Sequence, residues 1–272
     1  MPVIATNTAA NTALLYLNKN SAAESNSLAK LSSGSNIVKA SDDAAGLAVS
    51  TRLQSDITVL SQASKNASQA QSVLNTADGA LSNTADILQR MKSLATQAQS
   101  GSVDDSSRAY IDSEYQQLVT ELDSISTSTR FNGTNLVDGS YNEDYLVGTD
   151  ASTDAITVDL SAVDVSSATL GLTGDLTSSA NAVTESTALD TAIDKISSAR
   201  ATVGALESRF QFRSDVIDTS VDNLEAAKSS ITDVDIATEQ TNYTNKEVLT
   251  QTSIAALTQA NNMKTALLNL VK

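Results

Sequence analysis

The chain has 272 residues, of which 17 are basic and 32 acidic, and it contains neither cysteine nor histidine. This excludes disulfides, thiolate nucleophiles, the commonest zinc ligands and the usual general base, and a net charge of −15 without a Lys/Arg cluster argues against nucleic-acid partners. Apolar residues make up 40% but aromatics only 3%, so the apolar content rests on Ala, Leu, Ile and Val, which suit helix seams better than a thick globular core.

The first predicted element is a weak helix. Ala10, Leu14, Leu17, Leu28 and Leu31 keep a three/four spacing, while Ser21 and Glu24 fall in seam slots. No apolar run approaches the ~18–20 residues that span a bilayer, so membrane insertion is not expected. The first twenty residues also lack a basic start and a clear apolar stretch, so any exit from the cell is expected without a cleaved signal. Ser32-Ser33-Gly34 ends the helix, because glycine takes the left-handed conformation cheaply. After a polar link at 32–43, Ser41, Asp42 or Asp43 is placed to cap a second helix.

That second helix carries the strongest periodicity. Leu53, Leu60, Ala67, Leu74, Leu81, Leu88 and Ala95 fall seven apart, with Ala63, Ala70, Ala77, Met91 and Ala98 three residues on. Only Asp56 and Thr84 interrupt the partner row. Such a seam predicts one helix over about 44–99, on the order of 84 Å at ~1.5 Å per residue. Gly101 marks a turn, and Asp104-Asp105 opens a shorter helix with Ile111, Tyr115, Leu118, Leu122 and Ile125 on its apolar stripe.

From Phe131 to Ser186 the chain turns to Gly, Asp, Ser and Thr. Asn132-Gly133 and Asp138-Gly139 are turn dipeptides, and Ile156, Val158 and Leu160 alternate as in a strand. The segment is expected to be a small β cap where the helical hairpin reverses, with too few large apolar residues for a substantial core. A second long seam follows: Leu189, Ile196, Val203, Phe210, Ile217, Leu224 and Ile231, with Ala192, Ala199, Leu206, Ala227 and Val234 as partners. Arg213 and Ser220 interrupt it. The last element resembles the first, with Ile254, Leu257, Leu268 and Val271 in the seam and Asn261 and Lys264 intruding.

The fold class that follows is mainly α: a long antiparallel helical bundle or coiled coil formed by the N- and C-terminal halves, with a small β cap in the middle of the chain. The expected bundle core is Leu60, Leu74, Leu81, Leu88, Ile196, Val203, Phe210, Ile217 and Leu224. Both ends carry too many polar seam residues to offset their ordering entropy, so residues 1–31 and about 240–272 are expected to fold only when neighbouring subunits bury them.

No catalytic constellation emerges. Ser27-Leu28-Ala29-Lys30 matches S-x-x-K, but on an amphipathic helix without S-D-N or K-T-G. The paired carboxylates at 42–43 and 104–105 open helices and read as caps rather than acid/base or metal pairs. Asn132-Gly133-Thr134 and Asn242-Tyr243-Thr244 fit the glycosylation sequon, a pattern too short to carry weight alone. No metal or cofactor site is expected.

Long strings carry a resemblance. "LSSGSNIVKASDDAAGLAVSTRLQSDI" (31–57) resembles the N-terminal hallmark of bacterial flagellins, and "ALSNTADILQRMKSLATQAQSG" (80–101) their central helix. "RFNGTNLVDG" (130–139) is similar to the turn after it, and "ITVDLSAVDVSSATLGLTG" (156–174) to the strand-and-turn segment before the C-terminal half. Residues 203–263 resemble the family's C-terminal region almost throughout.

The resemblance implies a structural subunit that self-assembles into the flagellar filament for swimming, with a hook–filament junction protein as the alternative. It implies a terminal coiled-coil layer of 1–43 and 235–272, inner and channel-lining, that includes the 32–43 link. A helical rod layer of 44–130 and 187–234 and a small cap at 131–186 complete a minimal flagellin. Leu14, Leu17, Leu28, Leu31, Ile254, Leu257, Leu268 and Val271 would then lie between subunits, and Gly34, Ser41, Asp42 and Asp43 would form the link and cap. The implied partners are the chain itself, alone or mixed with other flagellins, the export apparatus and its chaperone, and the filament cap and junction proteins. The implied location is extracellular. The family's patch for a vertebrate innate immune receptor is matched by Gln89, Arg90, Leu94, Gln97 and Glu114, but Lys92 and Ser93 replace the usual Arg-Glu, removing an acidic group and a bidentate guanidinium.

Overall fold

The computed structural model describes the backbone of residues 6–150 and 152–270, and the side chains of these as far as 266. The chain forms two compact units, 56–222 and the combination of 1–55 with 223–272. Its helices are α1 (Thr8–Ser33), α2 (Ala44–Gln99), α3 (Asp105–Ser128), α4 (Ser167–Leu170), α5 (Ser179–Thr232) and α6 (Ile236–Leu270). The strands β1 (Arg130–Phe131), β2 (Thr134–Asn135), β3 (Asn142–Leu146) and β4 (Ala155–Asp159) pair antiparallel as β1–β2 and β3–β4. The protein is thus mainly α, with helices paired in a bundle and two small antiparallel sheets in mid-chain.

In the 56–222 unit, α2 and α5 run antiparallel, and polar ties fix their register. Gln99 donates to the Ala182 carbonyl at 3.0 Å, Lys92 pairs with Asp190, Arg200 donates to Asp78 at 3.0 Å, and Gln71 donates to Gln211 at 3.3 Å. Between these ties the heptad rows meet. Ala67, Leu74, Leu81, Leu88 and Ala95 on α2 are fully buried, as are Leu189, Val203 and Phe210 on α5. Each buried Leu or Val contributes about 1.5–3 kcal/mol relative to exposure. Thr84, expected to interrupt the row, is fully buried within it. Its hydroxyl donates to the Ala80 carbonyl at 3.0 Å, one turn back, so no donor is stranded.

α3 lies antiparallel to α2, with Arg90 Nε donating to Glu114 at 2.9 Å. Asp104 caps α3, its carboxylate accepting the Ser107 N–H at 3.0 Å. Arg108, only 8% exposed, donates to the carbonyls of Ala98 and Ser100 at 2.8 and 3.2 Å, covering the end of α2 with a cation as the helix dipole favours. Tyr115 is buried and donates to Glu185 at 2.8 Å. Burial, reinforced by that carboxylate, pushes the phenol far above its ordinary value.

The middle segment carries the small antiparallel sheets and lies along the flank of the helices. Asn66 of α2 donates to the Leu146 carbonyl at 2.9 Å, the Ser167 N–H to Asp123 at 2.8 Å, and the Leu176 N–H to Asp112 at 2.8 Å. It also carries a real core. Twelve apolar residues from Leu136 to Leu176 are buried, a number that offsets their modest size. Ile156 and Val158 of β4, and Leu160 beyond it, do face inward as the alternation predicts. Asn132 and Gly133 take positive φ of 50° and 88° in a two-residue hairpin turn. Residues 179–186 already belong to α5.

Arg213 breaks the expected seam for a reason. Its Nε donates to the Val147 carbonyl at 2.9 Å and its Nη2 to Asp154 at 2.5 Å, pinning the β3–β4 turn to α5. One turn away Phe210 meets Tyr145 edge-to-face, with ring centroids 6.0 Å apart. Phe210→Ala should therefore cost about 3–5 kcal/mol, combining lost transfer energy with a cavity. Chemical denaturation of the monomer checks this, and an unchanged midpoint would remove Phe210 from the core.

One group in this unit is under-satisfied. Glu207 has a buried carboxylate oxygen with no hydrogen-bond partner, and burial, then the Asp78 charge, raises its pKa. A raised acid favours its neutral form in the fold, so stability falls as pH climbs from the ordinary carboxylate value through the raised one. Glu207→Gln should raise the melting temperature at pH 7 and lose that advantage at pH 3. A melting temperature lowered at both pH values would contradict this.

Candidate assembly surface

The 1–55/223–272 unit is built on the antiparallel pairing of α1 with α6. Asn7 caps α1 by accepting the Ala10 N–H at 3.0 Å, and its amide reaches across to the Ala260 carbonyl at 3.0 Å. Asn20 donates to Ser253 Oγ at 3.3 Å further along.

The less exposed side chains of α1 include Ala10, Ala13, Leu17, Asn20, Glu24, Ser27 and Leu31, with Ala23, Ala29 and Lys30 beside them. Those of α6 are Glu239, Tyr243, Lys246, Glu247, Thr250, Ser253, Leu257 and Ala260. Both rows follow a three/four spacing in the main, and much of each row is polar. Thr250 Oγ1 is even buried there without a partner. Of the terminal leucines and isoleucine expected between subunits, Leu17, Leu31 and Leu257 are half-buried in this seam. Leu14 (45% exposed), Leu28 (53%) and Ile254 (50%) point away from it. Leu15, Tyr16, Val248 and Leu249 are exposed as well. Leu268 lies on α6 but its side chain is outside the described residues, as is the whole of Val271. The seam between the two helices is thus partly polar, and several large apolar side chains are left outside it.

The joint beside this pair is tightly made. Gly34 has φ 70° and donates back to the Lys30 carbonyl at 2.9 Å, ending α1. Ser35 and Asn36 then attach to the break between α5 and α6: the Asn36 N–H donates to the Thr232 carbonyl at 2.7 Å, and the Val234 N–H to the Gly34 carbonyl at 3.1 Å. Asp42 accepts from the N–H groups of Val38 and Lys39 at 3.1 and 2.8 Å and so folds the link itself. Asp43 accepts from Gly46 at 2.9 Å and caps α2, while Ser41 is exposed. A Cβ at Gly46 would lie 2.4 Å from Asp43 Oδ2 and 2.9 Å from Ile37, so a larger residue there would make the capping carboxylate and Ile37 shift.

On the facing side, Asp235 caps α6, accepting from Ala237 and Thr238 at 3.0 and 3.3 Å. The hydrogen bonds of Thr238 and Ala237 lower its pKa, and those of Ser229 and Thr232 lower that of Asp233. The interruption at 233–235 was hidden by the apolar seam of Ile231 and Val234. Its signal was Asp235-x-x-Thr238, a capping pattern at the restart.

The other expected sites are placed as follows. Leu60, Leu74, Leu81, Leu88, Ile196, Val203, Phe210 and Ile217 are buried in the 56–222 unit, whereas Leu224, in the other unit, is only half-buried. Gln89 and Gln97 are exposed and Arg90 is ion-paired with Glu114, but Leu94 is only 2% exposed and belongs to the core rather than to a surface patch. Ser27 is buried, and the Lys30 ammonium donates to Asn36 at 2.8 Å, which leaves no nucleophile–base pair. Among the described residues no helix is long and apolar enough to cross a membrane, and no three acidic side chains gather to hold a metal ion.

Known proteins share this organisation. The family model of the bacterial flagellin N-terminal helical region matches residues 4–142, and that of the C-terminal helical region matches residues 186–271. The flagellin of Halalkalibacterium halodurans is 38% identical over 244 residues, covering 89% of this chain and 90% of its own. The flagellin of Bacillus subtilis is 35% identical over 302 aligned positions, covering 98% of both chains. The crystal structure of Bacillus cereus flagellin superposes with a TM-score of 0.51 at 34% identity, covering 60% of this chain and 94% of that one. With both terminal helical regions matched and relatives aligned over most of their length, the chain belongs to the bacterial flagellin family.

Proposed function

We propose that this flagellin is a structural subunit that self-assembles into the helical flagellar filament for swimming, and that the α1–α6 pair is the surface through which copies join. The observation that carries this is the set of large apolar side chains that the pair leaves exposed. Among the described residues of α1 and α6 only Ser27 and Ala260 are buried, while Leu15, Tyr16, Leu28, Val248, Ile254 and Met263 are each more than half or about half exposed. Exposed apolar surface on this scale marks an interaction site. Ordering a helix costs roughly 1–2 kcal/mol per residue in backbone entropy, and the polar seam offers little to offset it. Neighbouring copies supply the missing burial, so the ends order and the polymer grows in one event.

The finer assignments extend from this reading. The subunit acts outside the cell after passing the flagellar export apparatus with its chaperone, and it meets the filament cap and junction proteins at the two ends of the polymer. A chain without cysteine suits threading through a narrow channel, because no covalent cross-link can trap it folded.

Two experiments test the proposal. Amides of α1 and α6 should exchange within seconds in dilute monomer and become protected in the polymer, while those of 60–98 stay protected in both. Strong protection of α1 and α6 in monomer would refute coupled ordering. Gly34→Val places a β-branched residue at φ 70°. It should impair polymerisation while leaving the circular dichroism of the 56–222 helices almost unchanged, and normal polymerisation would remove the joint from the assembly mechanism.

A further inference from the structure

The hairpin turn between β1 and β2 holds a reactive pair that the fold leaves unprotected. Asn132 is the only asparagine of the chain that is followed by glycine. A glycine there has no Cβ to keep its N–H from approaching the asparagine side-chain carbon. Both groups are free. Asn132 is exposed, and among the described residues its side-chain amide makes no hydrogen bond. Gly133 is exposed as well, its N–H donates to no group, and a Cβ on it would meet nothing within 4 Å. Two aspartate–glycine pairs show the protected alternative. Gly79, after Asp78, lies inside α2, where its N–H is taken up by the helix ladder, and the Asp78 carboxylate holds Arg200 at 3.0 Å. Gly139, after Asp138, donates its N–H to the Val163 carbonyl at 3.1 Å. The Asp138 carboxylate accepts from Asn135 at 2.7 Å and from Ser140 Oγ at 2.6 Å.

We propose that Asn132 is a self-modification site: with water as the only co-reactant, it becomes a mixture of isoaspartate and aspartate. The Gly133 nitrogen bonds to Asn132 Cγ and loses its proton, and the Cγ–Nδ2 bond breaks as ammonia departs with that proton. This closes a five-membered succinimide. Water then adds to one of its two carbonyls. Opening at the main-chain carbonyl leaves the chain running through Cγ, an isoaspartyl link, and opening at Cγ gives aspartate. The turn must flex for the first bond to form, and two features ease this. Asn132 has φ 50°, and it is the only non-glycine residue with positive φ among those described, a conformation held at some cost. The strands it joins have two residues each, and so short a hairpin is marginal by itself. Conversion adds a carboxylate to a chain already at −15. The isoaspartyl form also adds a main-chain carbon between Phe131 and Thr134, whose pairing sets the register, and so loosens the hairpin. Since ammonia is lost, the change is one-way and marks the age of the molecule. It rests on the turn alone and does not depend on the filament reading.

The experiment uses the full chain, kept as dilute folded monomer in neutral buffer made with heavy-oxygen water and read by peptide mass spectrometry. Asn132 should convert at least an order of magnitude faster than any other asparagine. Isoaspartate should exceed aspartate, each with one heavy oxygen. The Asp138–Gly139 pair is the internal control, forming isoaspartate in urea but not in the folded chain. An Asn132 that reacts in urea yet stays intact in the folded chain would overturn the proposal, because the turn would then protect it. Aspartate without isoaspartate would overturn the succinimide route. N132G keeps a residue suited to positive φ and should abolish the mass change in this peptide. Trypsin should cut after Arg130 faster in aged than in fresh unmodified chain, and at one rate in aged and fresh N132G. Equal cutting of aged and fresh unmodified chain would overturn the loosening of the hairpin.

Discussion

The antiparallel register of α2 against α5 is the constraint on which the 56–222 unit depends. Small residues make it possible: Ala63, Ala67, Ala70, Ala77, Ala192 and Ala199 are buried between leucines, which lets the helix axes approach closely. A one-residue slip would drive Leu74, Leu81 and Leu88 off the seam. It would also break several cross-helix ties, Gln99 to Ala182, Lys92 to Asp190 and Arg200 to Asp78. Exposed pairs of this kind contribute little individually, about 0–1 kcal/mol. Their role here is selection among registers that alternating Ala and Leu would otherwise leave close in energy. The flanking segment is tied to α2 and α3 at three levels, through Asn66, Asp112 and Asp123.

Much of this fold was legible from spacing alone. Seven-residue repeats located α2 and α5 and named most of their buried residues within 56–222, whereas beyond Ile217 the same repeat runs on through half-buried Leu224 and exposed Ala227. The alternation at 156–160 located β4 and its inward face. What periodicity could not reveal was partnering of polar groups. Thr84 and Arg213 looked like defects in a seam. One hides its hydroxyl on the preceding turn, and the other reaches out to hold a hairpin brought close only by the tertiary fold. In the segment 131–186, many medium-sized residues, each unremarkable in sequence, become buried because a ready apolar helix flank lies beneath them.

The terminal helices are more ambiguous. Leu14, Leu28 and Ile254 fit a three/four pattern, and so do Asn20, Glu24 and Ser27. A helix with two competing stripes gives no indication of which one meets the partner within the chain. Leu14, Leu28 and Ile254, expected between subunits, are exposed in the single chain, while Leu17, Leu31 and Leu257 are half-buried in the α1–α6 seam. The joint at 34–36 and 232–235 is equally a tertiary fact: Gly34 was readable as a stop, but that it bonds to a second break at 232–235 was not.

The antiparallel pairing of α1 and α6 also has a mechanical consequence. The start of α1 and the far part of α6 lie side by side, tied by Asn7 at Ala260. A force separating them would load the polar rungs one at a time, as in opening a zipper, instead of shearing all of them together. Such a pair resists sliding and yields readily to peeling. Outward-facing leucines buried by neighbours would convert peeling into shear, since every rung would then be backed by another chain. The same two helices would therefore be soft as a single molecule and stiff as part of a polymer, without any change in their own hydrogen bonds.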